Sequence, residues 1–236
     1  MENSQIIVQP NENGEVIIRK GEAAPAVDNR HIPIKIKANI LAPFEFWSKR
    51  NHLYSKDRVR VDYCIHTRNI TLVANEHSQY SDLISGSLSI NPDLEGLGIG
   101  QKQMSPNEMA KFLKTKRHLF RDQDAHKNII SELSNLKAKI EAEIEACRDD
   151  RGNKTNSIRK QVSSNVPIEF VLCMPIFVGF EKKEFKVEVC LDSTDSSVTC
   201  WMESIEMIEI LEKEKRDIIL GQVEQFKQEE IACIEH

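Results

Sequence analysis

Residues 166–177, Val-Pro-Ile-Glu-Phe-Val-Leu-Cys-Met-Pro-Ile-Phe, begin the part of the chain that decides the fold. Large apolar residues recur at every second position here, and again in Lys183-Glu-Phe-Lys-Val-Glu-Val-Cys-Leu191 and Ser197-Val-Thr-Cys-Trp-Met202. A period of two is typical of strands with one buried face. The last run leads into a helix predicted over about 203–230, where apolar residues recur at helical spacing. We therefore expect an antiparallel sheet covered by a long C-terminal helix.

The residues before this sheet predict a smaller α+β lobe and a long helix. Strands are expected at 34–37, 59–65, 69–74 and 83–90, with a short helix opening near Pro43. Ser105-Pro-Asn-Glu108 has the residues of a capping box and predicts a helix start. Apolar residues at steps of three and four predict another helix over about 122–148.

These patterns assign the chain to the α+β class, with antiparallel sheets packed against helices. The expected division is an N-terminal hairpin arm and linker at 1–31, a small α+β lobe at 32–120, a long helix and loop at 121–156, and the sheet with its C-terminal helix at 157–236.

The composition predicts a soluble, cytoplasmic protein. Of the 236 residues, 40% are hydrophobic and 29% charged, and the net charge is -5. No apolar run is long enough to cross a membrane, and the first residues do not read as a secretion signal. The six cysteines are scattered and are expected to be reduced. The alternative is that Cys190 and Cys200 face each other across a hairpin, as a disulfide or as half of a metal site.

Two basic clusters are the candidate nucleic-acid site. Exposed cations neutralise phosphates and aromatic rings stack on bases, so such clusters are typical of single-stranded DNA binding. A solvated helix end is the plainer interpretation of the second cluster. The candidates are Trp47, Lys49, Arg50, Tyr54, Lys56, Arg58 and Arg60 in the first cluster, and Lys111, Lys114, Lys116, Arg117 and Arg121 in the second.

Other patterns do not assemble a catalytic, metal or cofactor site. Glu95-Gly-Leu-Gly-Ile-Gly100 lacks dinucleotide-binding spacing and is interpreted as a flexible surface loop. Cys64 and His66 would supply only two metal ligands. The carboxylates of 141–150 are typical of a solvated helix face. The sequence therefore predicts no enzyme, no cofactor and no metal, although it does not exclude a metal-dependent nuclease.

The order and wording of several segments resemble the YfdQ-like family of uncharacterised phage and prophage proteins. The resembling pieces include residues 40–51, Ile-Leu-Ala-Pro-Phe-Glu-Phe-Trp-Ser-Lys-Arg-Asn, residues 101–113, and the strands from Val166 to Trp201. The chain departs from the family at Cys190-Leu-Asp-Ser193, where members carry an arginine-rich strand. The resemblance implies a phage or prophage origin among genes of DNA metabolism, and it supplies no active-site residues.

Two functional hypotheses follow. The leading one is a non-enzymatic phage accessory protein acting in DNA metabolism, by single-strand binding or recombination, through the two basic clusters. Its rival is a protein-interaction module, such as an inhibitor of a host defence factor or a scaffold, whose acidic surface contacts a host or phage protein. The apolar stripes of the two long helices also suit pairing between subunits, so a homo-oligomer is expected.

Overall fold

The computed structural model describes residues 32–78, 80–150, 168–193 and 198–236, with residues 137–150 described by their backbone alone. Residues 34–236 form one compact unit, and residues 1–33 are assigned to another. The N-terminal hairpin expected at 1–31 lies outside the described residues. The 34–236 unit spans the three parts that the sequence suggested for 32–236.

A five-stranded mixed sheet forms one half of this unit. Its strand order is β1-β4-β3-β2-β8. The three central strands are antiparallel neighbours, whereas β1 runs parallel to β4 and β8 runs parallel to β2. The strands are β1 (Lys35–Asn39), β2 (Val59–Cys64), β3 (Asn69–Ala74), β4 (Asp82–Ser87) and β8 (Ala232–Glu235).

Strand β8 completes this sheet from the other end of the chain, and the sequence analysis did not predict it. The chain turns after the last helix at Glu230, which has a φ of 62°, and Ile231 is buried at the turn. The N–H of His236 then donates to the carbonyl of Tyr63 at 2.9 Å. The sheet is therefore mixed rather than antiparallel, because both outer strands arrive through long connections.

Two short helices follow strands of this sheet along the chain, one after β1 and one after β4. Helix α1 (Ala42–Arg50) has a proline in its first turn and buries Trp47. Helix α2 (Pro92–Leu97) is capped by the Asn91 side chain and ends at Gly98, in left-handed conformation with a φ of 63°. Because Leu97 is buried in the core, the segment expected to be a flexible loop at 95–100 begins as an anchored helix.

Helices α3 (Pro106–Thr115) and α4 (Gln123–Asp150) pack against each other and cover the inner face of the second sheet. The predicted capping box is confirmed at α3, since Ser105 accepts from the Glu108 N–H and Glu108 accepts from the Ser105 N–H. In α4, Ile129, Leu133 and Leu136 are buried as the periodicity predicted.

The C-terminal sheet is antiparallel and three-stranded, in the order β5-β6-β7. Its strands are β5 (Ile168–Pro175), β6 (Lys182–Ser193) and β7 (Val198–Glu203). Along β5 the burial alternates strictly, so every second side chain enters the core. The inner face packs on the α3–α4 side, where the rings of Phe120 and Phe170 stack at 5.1 Å.

Helix α5 (Ile205–Gln228) packs on the C-terminal sheet, as predicted, and also reaches the five-stranded sheet. Its second half buries Ile219, Val223 and Phe226, and the Phe226 ring meets Phe44 edge-on at 5.2 Å. Its first half differs from the prediction, because Ile208 is 57% exposed rather than part of the buried stripe.

One hydrophobic core joins the two sheets and the helices between them. The α+β assignment is therefore confirmed. Among the described residues, no helix is long and apolar enough to cross a membrane.

Candidate functional site

The first basic cluster, 47–60, is placed around α1 and the start of β2. Trp47 is only 1% exposed, so its ring is unavailable for stacking on a base. Tyr54 is turned inward as well, and its hydroxyl donates to Oδ2 of the buried Asp82 at 3.0 Å. Burial raises the pKa of Tyr54 to about 12, and the hydrogen bond to Asp82 adds to this effect. Both aromatic members of the cluster therefore serve the fold.

Two cations of this cluster are paired with carboxylates. Arg60 donates to Glu76 at 2.9 Å and to Asp62 at 3.1 Å. Lys56 lies 3.7 Å from Glu230 and 4.0 Å from Glu229, just after α5. Lys49, Arg50 and Arg58 are exposed, and the Arg50 guanidinium lies 5.2 Å from the centre of the Phe46 ring. Among the described contacts, Lys49, Arg50 and Arg58 are therefore the cations of this cluster that make no salt bridge to a carboxylate.

The second basic cluster, 111–121, follows the same pattern. Lys116 Nζ lies 2.7 Å from Asp93, and Arg121 lies 2.7 Å from Glu184 on β6. Arg117 donates to the side chain of Gln123. Lys111 and Lys114 are exposed. The plainer interpretation of this cluster, a solvated helix end tied to its neighbours, agrees with most of these contacts.

The structure also tests the suggested pairing of Cys190 with Cys200. Cys190 lies opposite Trp201 in the sheet, whereas Cys200 lies opposite Leu191, so the two thiols are on opposite faces and are free. The suggested disulfide between them is therefore wrong. Burial raises the pKa of the Cys200 thiol to about 12. Within the described part of the chain, no three His, Cys, Asp or Glu side chains are grouped to hold a metal.

The outer face of the three-stranded sheet is rich in carboxylates. Residues that point away from the core alternate with the buried ones on each strand. Five of them are exposed acids and two are exposed lysines, with Val171 and Trp201 between them. We call this surface the acidic face; its charged members are Glu169, Lys182, Glu184, Lys186, Glu188, Asp192 and Glu203.

Internal contacts order the side chains of the acidic face. Lys186 lies 2.5 Å from Glu169 and 3.9 Å from Glu188, and the hydrogen bond to Glu169 raises the pKa of Lys186. The Trp201 indole N–H donates to Glu203 at 2.6 Å. One lysine is thus shared between two glutamates, which leaves the centre of the face negative.

Helix α5 begins at the edge of this face because β7 is too short to pair with all of β6. The N–H of Lys186 donates to Glu206 at 2.7 Å, and the carbonyl of Lys186 accepts from the Ser204 hydroxyl at 2.5 Å. Since Lys186 pairs with Val171 of β5 on its other side, these two bonds close the free edge of β6.

This junction leaves two isoleucines in solvent. Ile205 lies between the two residues that bond to Lys186, and it is 77% exposed. Ile208, one turn along α5, is 57% exposed, and Val171 across from Lys186 is 38% exposed. Ile205 and Ile208 therefore form an exposed apolar patch where α5 meets the edge of β6, beside the carboxylates of the acidic face.

Sequence reasoning missed this patch. The outward residues were recognised only as the polar half of the strand alternation, and Ile208 was assigned to the buried stripe of the last helix. The available signal was the density of glutamates at alternate positions from 169 to 203, combined with Trp201 on the same face. Which face stays open depends on where α3 and α4 pack, and a strand pattern alone does not carry that information.

A polar hollow lies on the outward face of the five-stranded sheet. It encloses about 560 Å³ and is lined mostly by polar groups. Arg60 is fixed there between Asp62 and Glu76, and the imidazole of His236 lies 3.5 Å from Asp62. These groups hydrogen-bond to one another, and the two carboxylates outnumber the single guanidinium, so the hollow is not an anion site.

Comparisons with models of known protein families, with curated proteins and with solved structures found no match to this chain.

Proposed function

We propose that the chain is a non-enzymatic accessory protein that acts by binding another protein through the acidic face and the apolar patch beside it. The observation that carries the proposal is the pair of exposed isoleucines, Ile205 and Ile208, at the edge of a face with five carboxylates. Protein interfaces commonly combine an apolar centre with a polar rim, and exposed apolar patches rimmed by polar groups mark such sites.

The charge of the acidic face defines the partner. The five acids of the face outnumber its two lysines even after Arg121 pairs with Glu184, so a complementary surface presents Lys or Arg around apolar side chains. Trp201, half-buried beside Glu203, is the residue type that most often anchors an interface. The family resemblance suggests that this partner is a host or phage protein met during infection.

A capture experiment with matched variants tests the proposal. The full-length protein, Ile208→Glu and Leu53→Glu are immobilised and exposed to the same host-cell extract. Leu53 is the control because it is 62% exposed and lies far along the chain, after α1. We expect the wild type and Leu53→Glu to retain a protein from the extract that Ile208→Glu does not retain. The purified partner should show the same difference in binding to the three proteins. Equal retention by all three, or retention by none, would reject the proposal.

Single-stranded DNA binding is the second candidate, and exposed Lys49, Arg50 and Arg58 support it. It predicts binding that weakens steeply with salt, since phosphate contacts release counterions. Anisotropy of labelled single-stranded DNA, measured at low and physiological salt, distinguishes the two functions. Binding that Arg58→Glu weakens and Ile208→Glu leaves unchanged would support the DNA function, and no binding at low salt would remove it.

A further inference from the structure

Strand β1 is an edge strand whose outer side is unpaired by any described residue. Among the described strands it pairs with β4 alone, and all five of its residues are exposed. The carbonyl of Ile34 accepts a hydrogen bond from the Leu83 N–H. In a parallel ladder the backbone N–H and C=O groups of alternate residues point to the same side, so those of Ile34 and Ile36 point toward β4. The N–H and C=O groups of Lys35 and Lys37 therefore point outward from the sheet, as a template for one more strand.

An apolar pocket of about 210 Å³ opens at the C-terminal end of this edge. It lies between the ends of β1 and β4 and the turn at 178–180, and Leu88 and Phe180 are among its apolar lining residues. The N–H of Val178 donates to the carbonyl of Ser89 at 3.0 Å, which holds the turn against the residues after β4. A backbone hydrogen bond thus holds one wall of the pocket in place.

The charges on β1 select the added strand. Lys35 and Lys37 lie on one face of the strand, and no carboxylate partner is seen for either in the described part of the chain. Like charges directly opposite each other destabilise a strand pair, so these lysines oppose pairing with β1 of a second copy in register. They favour a strand with acids at alternate positions, for the same electrostatic reason.

We propose that β1 binds an extended acidic peptide by strand addition, with an apolar side chain of that peptide in the pocket at 38–41 and 178–180. Main-chain hydrogen bonds supply the affinity in this mode of recognition, and the pocket supplies the choice of sequence. This site is separate from the acidic face, so it holds or fails independently of the proposed function.

The probe is a fluorescent peptide, acetyl-Glu-Val-Glu-Val-Glu-Leu-amide, titrated with the full-length protein. Lys37→Pro removes one outward N–H and leaves the bonds to β4 intact, because Lys37 does not donate to β4. We expect the dissociation constant to rise about three- to tenfold, as the loss of one hydrogen bond predicts. Glu235→Pro, which changes an outward position on the opposite edge strand β8, should leave binding unchanged.

Charge reversal provides a test that does not depend on proline. The double variant Lys35→Glu, Lys37→Glu should lose the acidic probe and bind the same peptide with Lys in place of Glu. The proposal is overturned if the acidic probe does not bind the wild type, or if both probes bind every variant equally. It is also overturned if Lys37→Pro instead abolishes a concentration-dependent dimer seen by sedimentation, because a second copy would then be the occupant of the edge.

Discussion

At the scale of single residues, the most constrained group described is the carboxylate of Asp82. It has no exposed surface, and it accepts from the Ile34 N–H at 2.7 Å and from the Tyr54 hydroxyl at 3.0 Å. A buried carboxylate is tolerated only when hydrogen bonds replace the lost water. The sequence suggested the Tyr54 side chain for base stacking. Instead, it links the residues after α1 to the start of β4.

Replacing Tyr54 with Phe is expected to lower the free energy of unfolding by about 1–3 kcal/mol, since Asp82 loses a donor while still buried. Urea unfolding followed by circular dichroism measures the change. Tyr63→Phe is the matched control, because the Tyr63 hydroxyl donates to exposed Glu235 at the longer distance of 3.3 Å. A cost for Tyr54→Phe no larger than that of Tyr63→Phe would contradict this role.

The pH dependence of stability should also report Tyr54. Its pKa is raised in the folded protein from 10.0 to about 12, first by burial and then by Asp82. The folded state keeps this proton when the unfolded state has lost it, so the stabilisation is present below pH 10 and is lost as the pH rises toward 12. The loss of stability across this range should be shallower in Tyr54→Phe than in the wild type. Parallel curves for the two proteins would show that Tyr54 does not contribute.

At the scale of elements, α3 and α5 are each capped by a serine, and the two caps differ in what they contact. Ser105 caps α3 at the protein surface. Its hydroxyl donates to the Glu108 side chain and accepts from the Glu108 N–H. Ser204, only 5% exposed, caps α5 by accepting from the Met207 N–H and also donates to the Lys186 carbonyl. The second cap therefore joins a helix to a strand edge, whereas the first is local.

Ser204→Ala is expected to destabilise the protein more than Ser105→Ala. Loss of a cap alone costs about 0.5–2 kcal/mol, and Ser204→Ala additionally leaves a strand carbonyl without its donor. Chemical unfolding of the two variants side by side measures the difference. Equal costs would indicate that the bond to Lys186 contributes little to closing the edge of β6.

The same distinction explains how much of the structure the sequence predicted. Strand alternation at 168–174, the capping box at Ser105 and the stripe ending in Phe226 are local signals, and each is confirmed. Strand β8 was missed because it is short and its pairing with β2 is set by distant residues. Ile208 was misplaced because the first half of α5 meets a strand edge rather than a sheet face, so one side of the helix stays in solvent.

At the scale of the whole molecule, one core connects the two sheets, although their patterns in the sequence suggested separate lobes. The two tryptophans report the two halves separately, since Trp47 is buried beside the five-stranded sheet and Trp201 lies on the three-stranded sheet. The candidate site belongs to this scale as well, because the acidic face is outward only by virtue of the helices packed behind it.

Unfolding of residues 34–236 should therefore be cooperative. We expect Trp47→Phe, which leaves only Trp201 as reporter, and Trp201→Phe, which leaves only Trp47, each to show a fluorescence midpoint that coincides with the circular-dichroism midpoint of the same variant. Comparison within one variant removes the effect of the substitution on stability. A fluorescence midpoint clearly separated from the circular-dichroism midpoint would indicate two lobes that unfold independently.

Under the proposed function, the protein binds its partner through the acidic face and the patch at Ile205 and Ile208. Hydrogen–deuterium exchange of the full-length protein, free and with the captured partner, tests it most directly because it locates the contact. We predict slower exchange in 168–174 and 198–212 and unchanged exchange in 35–39 and 49–60. Protection confined to 49–60 and 111–121, or no protection at the junction of β6 and α5, would contradict the proposed function.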